Sequence, residues 1–325
     1  MVLILRRGQI QSLITMQDAI KAVENALIEI GEKMVVQPHR PYLQISSTAG
    51  FLLNSGYLKR LGGVGVKIAS SYAGNFERGL PTVSSLIVLF DPDTGLPLSI
   101  MEGGYLTALK TGAVGGVAVK YLSRDDAENL TLIGAGEQAK FQLFAIQLVR
   151  PIKKVKVLSR RKEIAARFAY EMSRRFGIDI EVAENIKCAL KDSDIIVAAT
   201  TSTTPVIVGE EVSEGVHISG IGSFTPEAAE IDARSFARSG RVYVDNLEAI
   251  NVGDIKFAIE MGAISLGEVY HLADVMSGRV VGRKGRSDIT IFKSVGGAAY
   301  DVAVALQTYR KARETGVGIE FDLLS

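Results

Sequence analysis

Leu130-Thr131-Leu132-Ile133-Gly134-Ala135-Gly136-Glu137-Gln138-Ala139 is an apolar strand that breaks at Gly134 and restarts as a helix. It reads as a cradle for a pyrophosphate. Gly134 allows the tight turn, Gly136 lets the backbone approach the phosphates, and the small Ala139 permits close packing of helix on strand. The helix N-terminus then offers N–H groups and a partial positive charge. A helix-length segment, Gln138 to Val149, follows, and Lys153 to Leu158 reads as the next strand. That context separates a nucleotide site from an ordinary glycine-rich turn, which is the weaker reading.

The end of the second strand narrows the choice of nucleotide. An NAD site places an Asp or Glu roughly 20 residues past the glycines, where it accepts hydrogen bonds from the ribose 2′-OH. Here Ser159-Arg160-Arg161 stand instead. Two guanidiniums and a hydroxyl suit a 2′-phosphate, since arginine bonds phosphate oxygens as a bidentate fork. NADPH is therefore expected, with NADH as the alternative coenzyme. The competing reading makes both arginines a solvated coat at a helix start beside Glu163.

At 325 residues the chain exceeds the usual size of a single core, so two domains are expected. The net charge of +1, without basic runs, argues against nucleic acid or an anionic membrane surface as a partner. The ligand should be small. One cysteine, Cys188, excludes an internal disulfide framework, and His39, His217 and His271 show no ligand spacing, so no metal is expected. The short apolar stretch Val2 to Leu5 is followed at once by Arg6 and Arg7, and no segment reaches the length needed for secretion or membrane spanning. A cytoplasmic location is the expectation.

The pattern changes at about residue 120. Before it, Thr15 and Asp18 form a capping box, and Ala19, Ile20, Val23, Ala26, Leu27 and Ile30 recur at helical spacing. Strand-like segments follow at Tyr42 to Ser46, Phe51 to Leu53, Gly65 to Ala69 and Val83 to Phe90. The last turns through Asp91-Pro92-Asp93-Thr94-Gly95 into Leu96 to Met101, a hairpin signature and hence an antiparallel sheet. A helix from about Tyr105 to Leu122 leads into alternating strands and helices, with strands at Leu130 to Ile133, Val155 to Leu158, Ile178 to Val182, Ile195 to Thr200, His217 to Ile221, Val242 to Val244 and Ile289 to Phe292. Alternation predicts a doubly wound parallel sheet of Rossmann type. The expected fold is α/β, this Rossmann sheet plus a smaller α+β substrate-binding and dimerisation domain with an antiparallel sheet. A long helix, Ala298 to Arg313, and a short strand, Ile319 to Leu323, return to the first domain. The boundaries are then 1–118 with 299–325, and 119–298.

A nucleotide domain names a cofactor and not a substrate, so the chemistry must come from elsewhere. Three cations of the first domain stand beside turn or glycine positions: Arg40, Lys67 and Lys110. Taken singly each reads as a surface charge. Lys67 is the strongest case, because it lies in an otherwise apolar strand, where a buried ammonium requires a counter-charge.

Lys110-Thr111-Gly112-Ala113-Val114-Gly115-Gly116, the glycine stretch from Ile133 to Ala139, Thr200-Thr201-Ser202 with Pro205-Val206, and Gly222-Ser223-Phe224-Thr225-Pro226 occur in that order. Together they resemble the ornithine cyclodeaminase/mu-crystallin family, and within it most the ketimine (Δ1-pyrroline-2-carboxylate) reductases. The resemblance runs from about residue 10 to the end. It implies a homodimer whose first domain binds substrate and pairs subunits while the Rossmann domain carries NAD(P). It makes Arg40, Lys67, Lys110 and Thr111 the substrate-binding group, with Lys67 also near the reacting nitrogen and catalytic, as is Ser223. It places the coenzyme on Gly134, Ala135, Gly136, Glu137, Gln138, Ser159, Arg160, Arg161, Thr200, Thr201, Ser202, Gly222, Ser223, Ser294, Val295 and Gly296. Asp301, at a commonly acidic family position, is expected to orient partners rather than to react. Lys110 departs from the arginine usual in the family and loses its bidentate fork.

A second departure is sharper. Cyclodeaminases and the related archaeal alanine dehydrogenase carry an aspartate where this chain has Phe224. A phenyl ring accepts no proton, so chemistry that releases or captures ammonia loses its evident acid/base group. A preformed cyclic imine needs only docking of its carboxylate, orientation and hydride. The expected reaction is reduction of Δ1-pyrroline-2-carboxylate or Δ1-piperideine-2-carboxylate to L-proline or L-pipecolate, an imino acid or amino acid being the small-molecule partner. Ser223 can hold a water or the imine nitrogen, or simply cap the following helix. An ornithine cyclodeaminase or L-alanine dehydrogenase of the same fold is the first alternative. A non-catalytic, crystallin-like NADPH-binding protein is the second.

Overall fold

A computed structural model describes residues 1–323. The chain opens with strand β1 (Val2–Leu5), helices α1 (Arg7–Leu13) and α2 (Met16–Gly31), and strands β2 (Val35–Val36), β3 (Tyr42–Ser46), β4 (Ala49–Leu58), β5 (Gly63–Tyr72), β6 (Val83–Phe90) and β7 (Pro97–Glu102). Helix α3 (Gly103–Leu122) leads to β8 (Asn129–Ile133), α4 (Glu137–Val149), β9 (Lys154–Leu158), α5 (Lys162–Phe176), β10 (Asp179–Val182), α6 (Ile186–Leu190), β11 (Ile195–Ala198) and β12 (His217–Gly220). Then come α7 (Ala233–Ser239), β13 (Val242–Val244), α8 (Gly253–Glu260), β14 (Val269–His271), α9 (Leu272–Met276), β15 (Thr290–Lys293), α10 (Ala298–Thr315) and β16 (Ile319–Phe321). Two compact units result: residues 1–110 with the segment from Gly297 onward, and residues 111–296. The first division falls inside α3, whereas the sequence reading places it at 118/119. No helix among the described residues is long and apolar enough to cross a membrane.

The first unit is one mixed sheet in the order β16-β1-β7-β6-β5-β4-β2, with β3 also paired to β4. All its neighbours are antiparallel except β1 and β7. The Asp91 turn joins β6 to β7, its carboxylate accepting the N–H groups of Asp93 at 3.0 Å and Thr94 at 2.8 Å. Helix α2 starts at the expected capping box, Thr15 accepting from Asp18 N–H at 3.2 Å while Asp18 accepts from Thr15 N–H at 2.9 Å. The C-terminal strand β16 pairs with β1, so the apolar Val2 to Leu5 is a sheet strand.

Strands β4 and β5 each run ten residues, far beyond the expected Phe51 to Leu53 and Gly65 to Ala69. Their glycines lie within the longer strands. Asn54, Gly56 and Leu58 stand opposite Lys67, Gly65 and Gly63, and these positions are buried beneath α10. A Cβ on Gly56 would lie 3.1 Å from Ala298, and one on Gly63 would lie 3.0 Å from Val302. These glycines let a helix sit close on the sheet and do not end the strands.

The second unit is an eight-stranded sheet, β10-β9-β8-β11-β12-β15-β13-β14, with every neighbouring pair parallel. Ile196, Ala198, Ile218, Ile291 and Phe236 belong to its apolar core. The strand order reverses between β8 and β11, which is where an open parallel sheet offers a ligand crevice beyond its carboxyl ends. Gly134 follows β8 there with φ +103, and a Cβ on it would lie 2.3 Å from the Ala199 carbonyl oxygen. Only glycine fits that turn.

Candidate active site

In the first unit, β5, α3 and α10 bring three charges together. Lys67 Nζ lies 2.8 Å from Asp301 Oδ2, and Lys110 Nζ lies 3.3 Å from Asp301 Oδ1. All three side chains are buried. Asn54 Nδ2 donates to Asp301 Oδ2 at 3.3 Å, and the buried Asn54 side-chain oxygen Oδ1 takes no hydrogen bond among the described residues. Arg40, half-buried in the segment between β2 and β3, is close enough to act on Lys67 electrostatically. Burial pushes the Lys67 ammonium down to about 8, Lys110 and Arg40 adding to the fall while Asp301 opposes it. Burial would raise Asp301, but Lys110 and Lys67 overcome it and hold the carboxyl below the usual carboxylate range. Two buried lysines thus share one carboxylate, with Arg40 acting on Lys67 from nearby. Such an excess of positive charge in a dry place favours an anion.

The second unit holds the predicted coenzyme residues at the carboxyl ends of its strands. Gly136 caps α4 without a side-chain hydrogen bond, and a Cβ on Gly136 would meet nothing within 4 Å. Backbone at this turn and helix start is therefore open to an anion, and the residues fit a dinucleotide phosphate. Ser159 follows β9, and Arg160 and Arg161 beyond it are exposed, with neither guanidinium in an ion pair or side-chain hydrogen bond among the described residues. Ser294, Val295 and Gly296 wrap the buried Asp245, whose carboxylate accepts Ser294 Oγ at 2.6 Å and the Val295 and Gly296 N–H groups at 2.9 Å each. Thr111 belongs to this unit, where its carbonyl accepts from Gln142 at 3.0 Å.

The loops after β11 and β12 are tied by a carboxylate that the sequence reading overlooks. Glu230, fully buried, accepts the N–H groups of Thr200 at 2.6 Å, Gly222 at 2.7 Å and Ser223 at 3.1 Å. A Cβ on Gly222 would lie 2.1 Å from the Thr200 carbonyl oxygen, so the loops touch backbone to backbone. Ser202 bonds within its own loop, its hydroxyl donating to Thr204 at 2.6 Å, and Thr201 is exposed. Ser223 caps no helix: its hydroxyl meets Asp254 and Lys293, both buried. Phe224 beside it is 71% exposed. Lys293 ends an apolar strand as Lys67 interrupts one, and an ammonium in that setting calls for a counter-charge just as Lys67 does.

Residues 2–316 match the model of the ornithine cyclodeaminase/mu-crystallin family. The chain belongs to this family. It is 36% identical over 327 residues to a Δ1-pyrroline-2-carboxylate reductase of Bacillus cereus, covering 98% of this chain and 100% of that one. A solved Δ1-pyrroline-2-carboxylate reductase of Thermococcus litoralis, in complex with NADH and L-proline, superposes with a TM-score of 0.95 at 38% identity, covering 98% of this chain and 100% of that one. An archaeal alanine dehydrogenase dimer with bound NAD superposes at 0.94 with 35% identity, covering 99% of each. This family member is an NAD(P)-dependent oxidoreductase.

Asp301 can be tested by stability. Asp301→Asn keeps the shape and leaves Lys67 and Lys110 buried without their counter-charge, so urea unfolding should show a loss of about 3–5 kcal/mol. An unchanged midpoint would mean that the lysines are already compensated without it.

Proposed function

We propose that this protein reduces a cyclic α-imino acid, Δ1-pyrroline-2-carboxylate or its six-membered homologue Δ1-piperideine-2-carboxylate, to L-proline or L-pipecolate with NADPH. The observation that carries the reading is the buried Lys67, Asp301, Lys110 cluster with Arg40 nearby, because its surplus charge calls for a ligand carboxylate. Arg40 and Lys110 hold that carboxylate. Lys67 shares the work and, with its lowered proton affinity, is also fit to give a proton to the ring nitrogen near neutral pH. When bound, the coenzyme supplies the hydride to the C=N carbon. Phe224 favours this substrate over ammonia chemistry, since no carboxylate stands at that position to manage a free amine.

The deciding assay follows NADPH absorbance with both cyclic imines beside pyruvate plus ammonia. Reduction of a cyclic imine, with kcat/KM falling at least 100-fold in Lys67→Ala, is expected. Turnover of pyruvate and ammonia alone would move the protein to the alanine dehydrogenase reading, and near-full activity in Lys67→Ala would remove Lys67 from the chemistry. For the wild type, kcat/KM should fall as pH rises through about 8, because the ammonium form of Lys67 is the one that binds the acid. A profile flat to pH 10 contradicts that role.

The choice of NADPH rests on Ser159, Arg160 and Arg161. Each charge-assisted bond to a 2′-phosphate contributes about 1.5–3 kcal/mol, so Arg160→Ala with Arg161→Ala should raise the NADPH dissociation constant by more than about 100-fold and that of NADH little. Equal losses for the two coenzymes would overturn the assignment.

A homodimer fits the first unit's surface. Every residue of β3 is exposed, including Tyr42, Leu43 and Ile45, and Leu86 and Val83 on β6 are exposed as well. Such an apolar area suits a second copy of the chain. Light scattering should give twice the 34.9 kDa chain mass, with Leu43→Lys plus Ile45→Lys shifting the protein toward monomer. A wild type that runs as a monomer at micromolar concentration refutes it.

A further inference from the structure

Beneath the loops after β11 and β12 lies a second group of buried charges. Lys293 Nζ is 2.5 Å from Ser223 Oγ, 2.9 Å from Asp254 Oδ2 and 3.9 Å from Glu230 Oε2, with the Lys293, Asp254 and Glu230 side chains all at 0% exposure. Asp254 also accepts the N–H groups of Glu230 at 2.6 Å and Ile231 at 2.8 Å, and it accepts a hydrogen bond from the Ser223 hydroxyl. The polarity of this chain of bonds is fixed. An ammonium only donates, an ionised carboxylate only accepts, and a hydroxyl has one proton and two lone pairs. Lys293 therefore donates to Ser223, whose own proton goes to Asp254. One lone pair on Oγ remains, and no proton.

We propose that Lys293 and Asp254 are positioning residues that make Ser223 an obligate hydrogen-bond acceptor, so that it selects an N–H donor on the bound ligand. The donor is the carboxamide of the nicotinamide or the ring nitrogen of the imino acid. The inference rests on the reading that the Gly222 to Phe224 loop faces coenzyme and substrate. It accounts for two carboxylates and one lysine at a place where apolar side chains would fill the space at no electrostatic cost. It also assigns Glu230 a part, since that residue holds the Thr200 and Ser223 backbones in one frame.

Calorimetric titration tests this without catalysis. One arm compares NADP with its 3-acetylpyridine analogue, in which an acetyl group replaces the carboxamide and carries no N–H. The other compares L-proline with tetrahydrofuran-2-carboxylate, its ring-oxygen counterpart, on the enzyme already saturated with NADP. The wild type should prefer the N–H member of one pair by about fivefold, the size of one ordinary hydrogen bond, and the pair that discriminates identifies the donor. Ser223→Ala should bring that ratio close to one. In Asp254→Asn the amide nitrogen donates to Ser223 and turns its proton outward, so the ratio should fall to about one in the coenzyme arm, where the carboxamide can offer its own oxygen, and invert in favour of the ring-oxygen member in the proline arm.

A purely structural Asp254 would weaken both members of the pair alike, and that result overturns the proposal. So does a ratio unchanged by Ser223→Ala in both arms, a comparison that needs no change to the buried charges and therefore stands even if Asp254→Asn does not fold. The coenzyme arm involves no substrate. Expected ratios in a protein that reduces neither cyclic imine would end the substrate reading and leave this one standing.

Discussion

The close seating of α10 on β4 and β5 governs the candidate substrate site. Gly56, Gly63 and Gly65 remove the side chains that would hold the helix off, and Ala298 and Val302 then approach within contact distance. One turn along the same helix, Asp301 reaches Lys67 at 2.8 Å. A Cβ at Gly56 or Gly63 would crowd side chains of α10, and one at Gly65 would run into the Val88 carbonyl of the neighbouring strand. The acid sits in the first turn of α10, where the helix dipole also favours a negative charge. Stability alone does not explain the arrangement, because buried ion pairs seldom exceed what apolar packing supplies. Under the proposed function, its use is to keep surplus positive charge in a dry place until the substrate carboxylate arrives.

The second unit repeats the device with different parts. Lys293 ends β15 as Lys67 interrupts β5, and Asp254 lies in the first turn of α8 as Asp301 lies in the first turn of α10. The balance is opposite. Around Asp301 the cations outnumber the carboxylate, while around Lys293 the carboxylates outnumber the cation. The extra negative charge is met by backbone N–H groups, five of them shared between Glu230 and Asp254. One cluster therefore suits an incoming acid, and the other braces the loops.

Much of this was legible in the chain. Alternating strands and helices after Leu130, with glycines placed at the first turn, define a parallel sheet because each signal is local and they agree. Lys67 was legible because an ammonium in an apolar strand demands a partner. Its partner was not, since Asp301 lies 234 residues away in sequence and only the register of α10 on the sheet joins them. The full length of β4 and β5 was hidden for the same reason: the close approach that Gly56 and Gly63 allow is visible only once the helix above is known. Glu230 and Asp254 escaped because an acid in a loop or a first turn reads as solvated, and nothing nearby in sequence says that it is buried. The division within α3 was equally hidden, the helix running without a break through Lys110 and Thr111.

Under the proposed reaction, the proton affinity of Lys67 becomes part of substrate recognition. Its ammonium is held down to about 8 by burial and by Lys110 and Arg40, charges that a bound carboxylate would offset. Binding the acid therefore raises the proton affinity of Lys67, and by linkage a protonated Lys67 binds the acid more tightly by the same factor. An ordinary lysine in water has no such coupling, being fully charged across the neutral range whether or not a ligand is present. The coupling needs the surplus charge that the glycine-seated helix makes compatible with burial. A single aspartate, placed where it can lean on both lysines without satisfying them, thus links the packing of α10 to the state in which an imino acid would be held for reduction.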